Sequence, residues 1–324
     1  MSLPAPKRTP QQPQQQAEFG NEFVFRPATK ENMKARVAIQ GVSGSGKTWT
    51  SLALAHGLGE RFAVIDTERG AASKYVGIRG IQFDVLQMTN FDPRRLVKAL
   101  AAAASAGYGT VLIDSLSHFW SGVDGTLQQV DKAKSRFGGN SFSGWQDGTP
   151  MQNDMVDALL AYPGHVIATM RSHTEWVLQK NDKGKTEPVA MGMRAEQRKG
   201  VEYEFDVVAS MDRDNVLTVL KSRVPKLNRA VIREPDGMAL AADLLAWLAD
   251  GAPAADPADF INRATAEDAT YEGLLALYGE VEAASLLASP MLHPETGEPT
   301  NLGDVIKARG SALRTVPAGT GADQ

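Results

Sequence analysis

Residues 35–59 decide the fold of this chain. They run Ala35-Arg36-Val37-Ala38-Ile39-Gln40, then Gly41-Val42-Ser43-Gly44-Ser45-Gly46-Lys47-Thr48, then an Ala- and Leu-rich segment from Trp49 to Gly59. The alternating β-branched residues predict a strand, and the apolar spacing after Trp49 predicts a helix. A glycine-rich stretch that ends in Lys-Thr between a strand and a helix is the pattern of a phosphate-binding P-loop. The alternative is an ordinary glycine turn before a helix.

Each residue type in this loop has a chemical role in binding phosphate or its metal ion. Glycines let backbone N–H groups turn toward phosphate oxygens, and the N-terminus of the following helix adds its positive end. Lys47 can reach the β and γ phosphates, and the Thr48 hydroxyl can hold Mg²⁺. The sequence therefore predicts ATP and Mg²⁺ as cofactors, with nucleotide contacts from Gly41, Val42, Ser43, Gly44, Ser45, Gly46, Lys47, Thr48 and Trp49.

Composition limits the classes of function. The net charge is −4, but residues 1–250 carry +3 and residues 251–324 carry −7. Any nucleic-acid contact must therefore be local, because the whole chain is not strongly basic. The absence of cysteine excludes disulfides and thiolate metal sites, and it fits a reducing cytoplasm. No membrane span or signal peptide is expected.

The pattern along the chain predicts five segments. Residues 1–18 are expected to be a disordered arm and residues 316–324 a disordered tail. Strands alternate with helices through residues 19–250, which predicts an α/β domain with a largely parallel sheet flanked by helices. Residues 251–258 are a linker by composition, and residues 259–315 are expected to form a small α-helical module.

Two carboxylates follow apolar strand runs, where ligands sit in open parallel sheets. Asp114 ends Val111-Leu112-Ile113 and is a candidate metal ligand beside Thr48, with capping of the next helix as the alternative. Residue 115 is serine, so the acidic pair of many hydrolytic P-loop enzymes is missing. Glu68 follows Val64-Ile65-Asp66 on a strand expected beside the P-loop strand. It could accept a proton from the attacking water, or be a solvated loop residue.

Four motifs follow one another along the chain: the P-loop, Val64 to Glu68, Val111 to Ser115 and Val219-Leu220-Lys221-Ser222-Arg223. Their order resembles the ATPase core of the RecA family, most closely the phage RecA-like ATPases of single-strand annealing and recombination. The similarity covers residues 23–250. It implies a RecA-like P-loop fold, ATP hydrolysis and activation of water by Glu68. It also implies that Lys221 and Arg223 act as catalytic cations in a neighbouring subunit's site, where the alternative is a solvated strand end.

Two further features bear on this resemblance. Phe25-Arg26-Pro27-Ala28 has the Phe-x-x-Ala pattern by which eukaryotic relatives insert a strand into the adjacent protomer. The family usually ends the strand at residues 165–169 with an amide that senses the γ-phosphate, whereas this chain has Thr169-Met170-Arg171. Thr169 or Arg171 could take that role.

Residues 171–199 carry seven Lys and Arg against four acids around a predicted hairpin tip at Asn181 to Lys185. Cations that follow phosphates, with an aromatic ring for base stacking, suit single-stranded DNA, although a solvated hairpin explains the same charges. The candidate DNA-binding residues are Arg171, Trp176, Lys180, Lys183, Lys185, Arg194, Arg198 and Lys199. A weaker candidate is the predicted loop from Phe137 to Trp145, which follows Lys132, Lys134 and Arg136.

Together these features predict a RecA-like ATPase that acts on single-stranded DNA in phage recombination, annealing or repair. It would be a homo-oligomer, a ring or a filament, with ATP sites between subunits and possible contacts to other phage replication proteins. One alternative is a hexameric helicase-type motor on the same core. Another is a nucleotide-switched regulatory ATPase or a P-loop kinase without nucleic acid, in which residues 171–199 would form a lid.

Overall fold

The computed structural model describes residues 34–136, 141–180, 186–249 and 255–315. The strands are β1 Arg36–Gly41, β2 Phe62–Asp66, β3 Asp84–Gln87, β4 Thr110–Asp114, β5 His165–Lys180, β6 Thr186–Ala195, β7 Val207–Met211, β8 Val216–Ser222, β9 Val231–Arg233, β10 Pro290–Leu292 and β11 Pro299–Asn301. The α-helices are α1 Lys47–Gly57, α2 Pro93–Ser105, α3 His118–Ser121, α4 Thr126–Arg136, α5 Ser141–Ala161, α6 Gly237–Leu248, α7 Pro257–Thr265, α8 Tyr271–Ala283 and α9 Leu302–Thr315. In these ranges, every helix is too short or too polar to span a lipid bilayer.

The central sheet has the order β3-β2-β4-β5-β1-β7-β8-β9. The strands from β3 to β7 in that order are parallel, and β8 and β9 are antiparallel. Helices α1 and α6 cover one face, and α2 and α5 cover the other, each over its own apolar core. The predicted α/β class with a largely parallel sheet is therefore confirmed.

The strand order corrects one expectation. Glu68 follows β2, which was expected beside the P-loop strand β1, but β4 and β5 lie between β2 and β1. The apolar pattern of β2 does not specify its neighbours, because every strand buried on both faces has the same pattern. All the parallel strands nevertheless end at one edge of the sheet. Residues after β1, β2 and β4 can therefore still meet there.

Helix α5 occupies part of the segment from Phe137 to Trp145 that was predicted to be a loop, so the prediction is wrong there. Residues 141–145 are helical, and residues 137–140 lie outside the described ranges. Gly144, which belongs to the predicted loop, and Gly148, which follows it, instead allow close helix packing. A Cβ atom on Gly148 would lie 2.3 Å from Val130 Cγ2 on α4, and one on Gly144 would lie 2.5 Å from the Val130 carbonyl oxygen. The two helices approach so closely only because these positions lack side chains.

Strand β5 leaves the central sheet after Arg171 and continues as a hairpin arm with β6. The arm comprises Ser172–Lys180 and Thr186–Ala195. The predicted hairpin is confirmed, since Trp176 pairs with Ala190 and Leu178 pairs with Pro188. Its base is tied to the sheet: the Arg171 N–H donates to Ser117 Oγ at 2.9 Å, and the Glu196 N–H donates to the Arg171 carbonyl at 2.7 Å.

The C-terminal part has a small core of its own. Helices α7, α8 and α9 bury Phe260, Leu277 and Ile306 together. The expected module also contains the short hairpin β10–β11, which the helical pattern did not reveal. This hairpin packs against α2, where the Leu292 N–H donates to Ser105 Oγ at 3.0 Å. Helix α7 begins at Pro257, with Asp256 as its cap, inside the range expected for the linker.

Candidate nucleotide-binding site

The P-loop joins β1 to α1 as the sequence predicts. Gly44 and Gly46 have φ values of 79° and 88°, which side chains with a Cβ atom rarely adopt. Helix α1 has no side-chain cap, so the first N–H groups of the helix stay free for phosphate oxygens. Gly41 must also lack a side chain, because a Cβ atom there would lie 2.4 Å from the Met211 carbonyl oxygen on β7.

Lys47 occupies the centre of this loop. Its ammonium donates to the Val42 carbonyl at 2.7 Å and lies 3.5 Å from Ser45 Oγ. Burial lowers the pKa of Lys47, while the charges of Asp114 and Glu68 act in the opposite direction. The loop therefore holds a partly desolvated cation that interacts strongly with any anion brought into it.

Asp114 is joined to the P-loop by a hydrogen bond. Its Oδ2 accepts from the Thr48 hydroxyl at 2.8 Å, and its Oδ1 accepts from the Thr169 hydroxyl at 2.5 Å. Burial raises the pKa of the Asp114 carboxyl. In the described residues this carboxylate caps no helix, so the alternative role is not seen. Thr48 and Asp114 fit Mg²⁺, because a buried carboxylate beside a hydroxyl, with no cation paired to it, supplies oxygen ligands.

Glu68 lies at the same edge of the sheet and forms an ion pair with Arg171. The Arg171 Nη2 atom is 2.9 Å from each Glu68 carboxylate oxygen, and its Nε is 3.1 Å from Oε1. Burial raises the pKa of Glu68, but the hydrogen bonds and charge of Arg171 outweigh it, so the pKa lies below its usual range. Glu68 is close enough for its charge to act on Lys47 and Asp114, and its carboxylate is engaged by Arg171.

A cleft of about 550 Å³ opens beside this ion pair. Its walls include Glu68, Arg171, Phe91 and His118. His118 stacks on Phe91 with 4.8 Å between ring centroids, and its Nδ1 lies 2.6 Å from the Thr67 hydroxyl. Burial lowers the pKa of His118, with the charge of Arg171 as a second cause. The cleft gives water and substrate groups access to Glu68.

The two residues considered for γ-phosphate sensing differ in accessibility. Thr169 is fully buried and its hydroxyl is committed to Asp114. Arg171 is the first residue beyond the buried part of β5, and its side chain is about half exposed. Of the two residues, only Arg171 therefore has a side chain that a ligand could reach.

Lys221 and Arg223 lie far from the P-loop of their own chain. Lys221 pairs with Val208 near the start of β7, whereas Met211 at the end of β7 pairs with Gly41. The Lys221 ammonium donates to the carbonyls of Tyr203 at 2.5 Å and Phe205 at 2.7 Å. Arg223 forms an ion pair with Asp206 at 2.7 Å. Their role in a second subunit remains a prediction, because here both serve their own chain.

The candidate DNA-binding residues divide into three groups. Arg171 is held by Glu68 and Arg194 by Glu175, at 2.6 Å in the second pair. Arg198 donates to Asn153 at 3.2 Å, while Lys199 is exposed and has no partner among the described residues. The side chains of Trp176 and Lys180, all of Lys183 and Lys185, and the segment from Phe25 to Ala28 lie outside the described residues.

Two residues of the site were not predicted from the sequence. Tyr75 lies beside Trp49, with 5.6 Å between ring centroids, so the Trp49 ring packs on a neighbour and its backbone N–H is the group available to phosphate. Asn215, in the turn between β7 and β8, touches the P-loop at Gly46. Neither residue belongs to a local motif, and only the pairing of β7 with β1 brings Asn215 close.

The comparison with known proteins agrees with a nucleotide-binding site at this position. A search of curated proteins found no relative of the chain. The family model described as an AAA domain matches residues 33–233, which extend from the start of β1 to the end of β9 and include the P-loop, Glu68 and Asp114. This match covers more than half of the chain and supports nucleotide binding and hydrolysis. The chain therefore belongs to the AAA domain family of P-loop ATPases.

Proposed function

We propose that this protein is a RecA-like, Mg²⁺-dependent ATPase that acts on single-stranded DNA in phage recombination, annealing or repair. One observation carries the proposal. Arg171 ends the part of β5 that belongs to the ATPase sheet, immediately precedes the hairpin arm and holds Glu68, the candidate base, through three hydrogen bonds. A residue in this position lies between the hydrolytic site and the hairpin arm, whose sequence carries several of the candidate DNA-binding cations.

Each residue of the site has a role in ATP hydrolysis. Free N–H groups of the P-loop hold the phosphates, and Lys47 neutralises the charge that develops on the β and γ phosphates. Bound Mg²⁺, held by Thr48 and by Asp114, would neutralise further phosphate charge. Glu68 accepts a proton from the water whose oxygen bonds to the γ-phosphorus as the bond to the leaving ADP oxygen breaks.

The ion pair with Arg171 weakens Glu68 as a base. A carboxylate held by a guanidinium has a lowered pKa, so it is a poorer proton acceptor. Activation therefore requires Arg171 to move away from Glu68, and DNA bound along the arm supplies a competing anion for this arginine. In this proposal the arm acts on the base through Arg171, the last residue of β5 in the central sheet.

Arg171→Ala is expected to uncouple hydrolysis from DNA. The ratio of DNA-stimulated to basal ATP turnover should fall toward one, because the residue that connects the arm to Glu68 is gone. Steady-state phosphate release with and without a single-stranded oligonucleotide measures this ratio. Arg263→Ala, which breaks an exposed arginine–glutamate pair in the C-terminal part, is the matched control. An unchanged ratio in Arg171→Ala would contradict the coupling role.

DNA binding and DNA-stimulated ATP turnover of the wild-type protein test whether the protein acts on single-stranded DNA. At low salt, single-stranded oligonucleotide should bind and raise ATP turnover, and binding should weaken as salt rises, because cations on the arm and just after it, at Arg198 and Lys199, replace counterions. The double variant Arg198→Ala, Lys199→Ala should bind DNA less tightly while its basal turnover stays unchanged. If the wild-type protein neither binds DNA nor responds to it, the DNA-directed proposal is wrong. Strand displacement from a partial duplex would instead favour the helicase-type alternative.

We also propose that a second copy of the chain completes the ATP site. Lys221 and Arg223 lie at the sheet edge opposite their own P-loop, so they could contribute to hydrolysis only in a neighbouring subunit. Lys47→Ala and Lys221→Ala proteins mixed together should recover turnover that neither has alone, since each supplies what the other lacks. No recovery, with both variants folded and oligomeric, would assign Lys221 to its contacts with Tyr203 and Phe205.

A further inference from the structure

We infer that Asn215 is a nucleotide-contacting residue that donates a hydrogen bond from its side-chain amide to a phosphate oxygen on the β7 side of the P-loop. This inference rests on the proposed nucleotide site and adds a contact from a different part of the chain. The ligand class is a nucleoside di- or triphosphate.

The sheet brings the turn with Asn215 to the P-loop. Strand β7 runs parallel to β1, with Met211 beside Gly41, so both strands end at the same edge. The chain turns immediately after Met211 and returns as β8. A Cβ atom built on Gly46 would lie 2.6 Å from Asn215 Oδ1, which places this side chain directly against the phosphate-binding loop.

The turn is held in a defined conformation. Asp212 Oδ1 accepts from the N–H groups of Asp214 at 2.9 Å and Val216 at 3.0 Å. Asn215 has a φ of 54°, a left-handed conformation that asparagine adopts more readily than most residues. Its carbonyl accepts from the Glu234 N–H at 2.9 Å. These bonds fix the backbone. The side-chain amide lies against Gly46 with Oδ1, and a half-turn about the Cβ–Cγ bond places the Nδ2 donor there instead.

The amide of Asn215 is available for a ligand. Asn215 is exposed, and its side chain makes no hydrogen bond within the part of the chain that the structure describes. An amide nitrogen is a donor that suits phosphate oxygen and adds no charge of its own. Glu68 and Asp114 reach the nucleotide from the other side of β1, beyond β5. Asn215 therefore supplies a polar contact on the side that these groups do not cover.

Asn215→Asp tests the contact with little change in shape. Aspartate keeps the volume and tolerates positive φ, but it places a carboxylate against the phosphates. We expect the Kd for ADP and for ATP to rise about tenfold, with the melting temperature of the free protein unchanged. Asn215→Gly, which also tolerates positive φ, should raise Kd about threefold through loss of the donor. Fluorescent ADP and ATP analogues measure both.

The controls separate the possible outcomes. Asn228→Asp places the same new charge at an exposed position near the opposite edge of the sheet, so it should leave Kd unchanged. Affinity for 2′-deoxy-ADP should fall by the same factor as for ADP, and a loss confined to ADP would assign the contact to the ribose and overturn the phosphate assignment. Equal nucleotide affinity in wild type and Asn215→Asp overturns the inference alone. A wild-type protein that binds no nucleotide would overturn the proposed function itself.

Discussion

Lys47→Ala is expected to lower the rate of ATP hydrolysis by about 10²–10³-fold, the usual cost of losing one group that stabilises developing charge. The structure gives the physical reason. The Lys47 ammonium lies inside the ring of P-loop backbone, 2.7 Å from the Val42 carbonyl, and burial removes part of its water shell. A cation in this environment interacts with phosphate charge more strongly than a solvated one. Phosphate release at saturating ATP measures the effect.

The control for this variant should change an equivalent lysine outside the site. Lys98 on α2 is exposed and contacts only Glu298, at 3.9 Å, among the described residues, so Lys98→Ala should leave turnover unchanged. Thermal melting of both variants checks that the fold is kept. Turnover in Lys47→Ala within twofold of wild type would show that ATP is hydrolysed elsewhere or not by this loop.

Glu68→Gln is expected to lower the rate of ATP hydrolysis by about 10²–10⁴-fold while nucleotide affinity stays near that of wild type. Glutamine keeps the size and the hydrogen bond to Arg171 but cannot accept a proton from water. The separation of binding from hydrolysis is the informative result, because Lys47→Ala is expected to weaken both. Single-turnover hydrolysis measured beside equilibrium binding of an ATP analogue gives the two quantities.

A matched control for Glu68→Gln is Glu280→Gln. Glu280 also forms an arginine–glutamate pair, with Arg263 at 2.7 Å, on the exposed surface of the C-terminal part. This variant should leave hydrolysis unchanged. If Glu68→Gln also hydrolyses ATP at the wild-type rate, Glu68 is no base, and its bond to Arg171 is a structural ion pair at the end of the sheet.

The strand–loop–helix unit could be predicted from its residues because its structure is local. Gly44 and Gly46 adopt φ values that few other residues allow, and Lys47 and Thr48 follow at fixed spacing. The apolar runs of β4 and β5 likewise predicted buried strands. The hairpin arm followed from residues of its own two strands, so its pairing was confirmed as predicted.

Helix α5 shows where local composition misleads. Glycine, serine and asparagine near residue 140 predict a loop, since each is a poor helix former. The structure continues the helix because Gly144 and Gly148 meet Val130 on α4, and a close helix–helix contact favours residues without side chains. The deciding interaction lies between two segments, so neither segment encodes it alone.

The residues alone predict a phosphate site at one edge of the sheet, because the P-loop and the carboxylates after β2 and β4 are local patterns. Which groups share that edge depends on the tertiary structure. It separated Glu68 from the P-loop strand by two strands, engaged its carboxylate with Arg171 and brought Asn215 against Gly46. These contacts depend on strand order and register, which are set by packing between segments far apart in the chain.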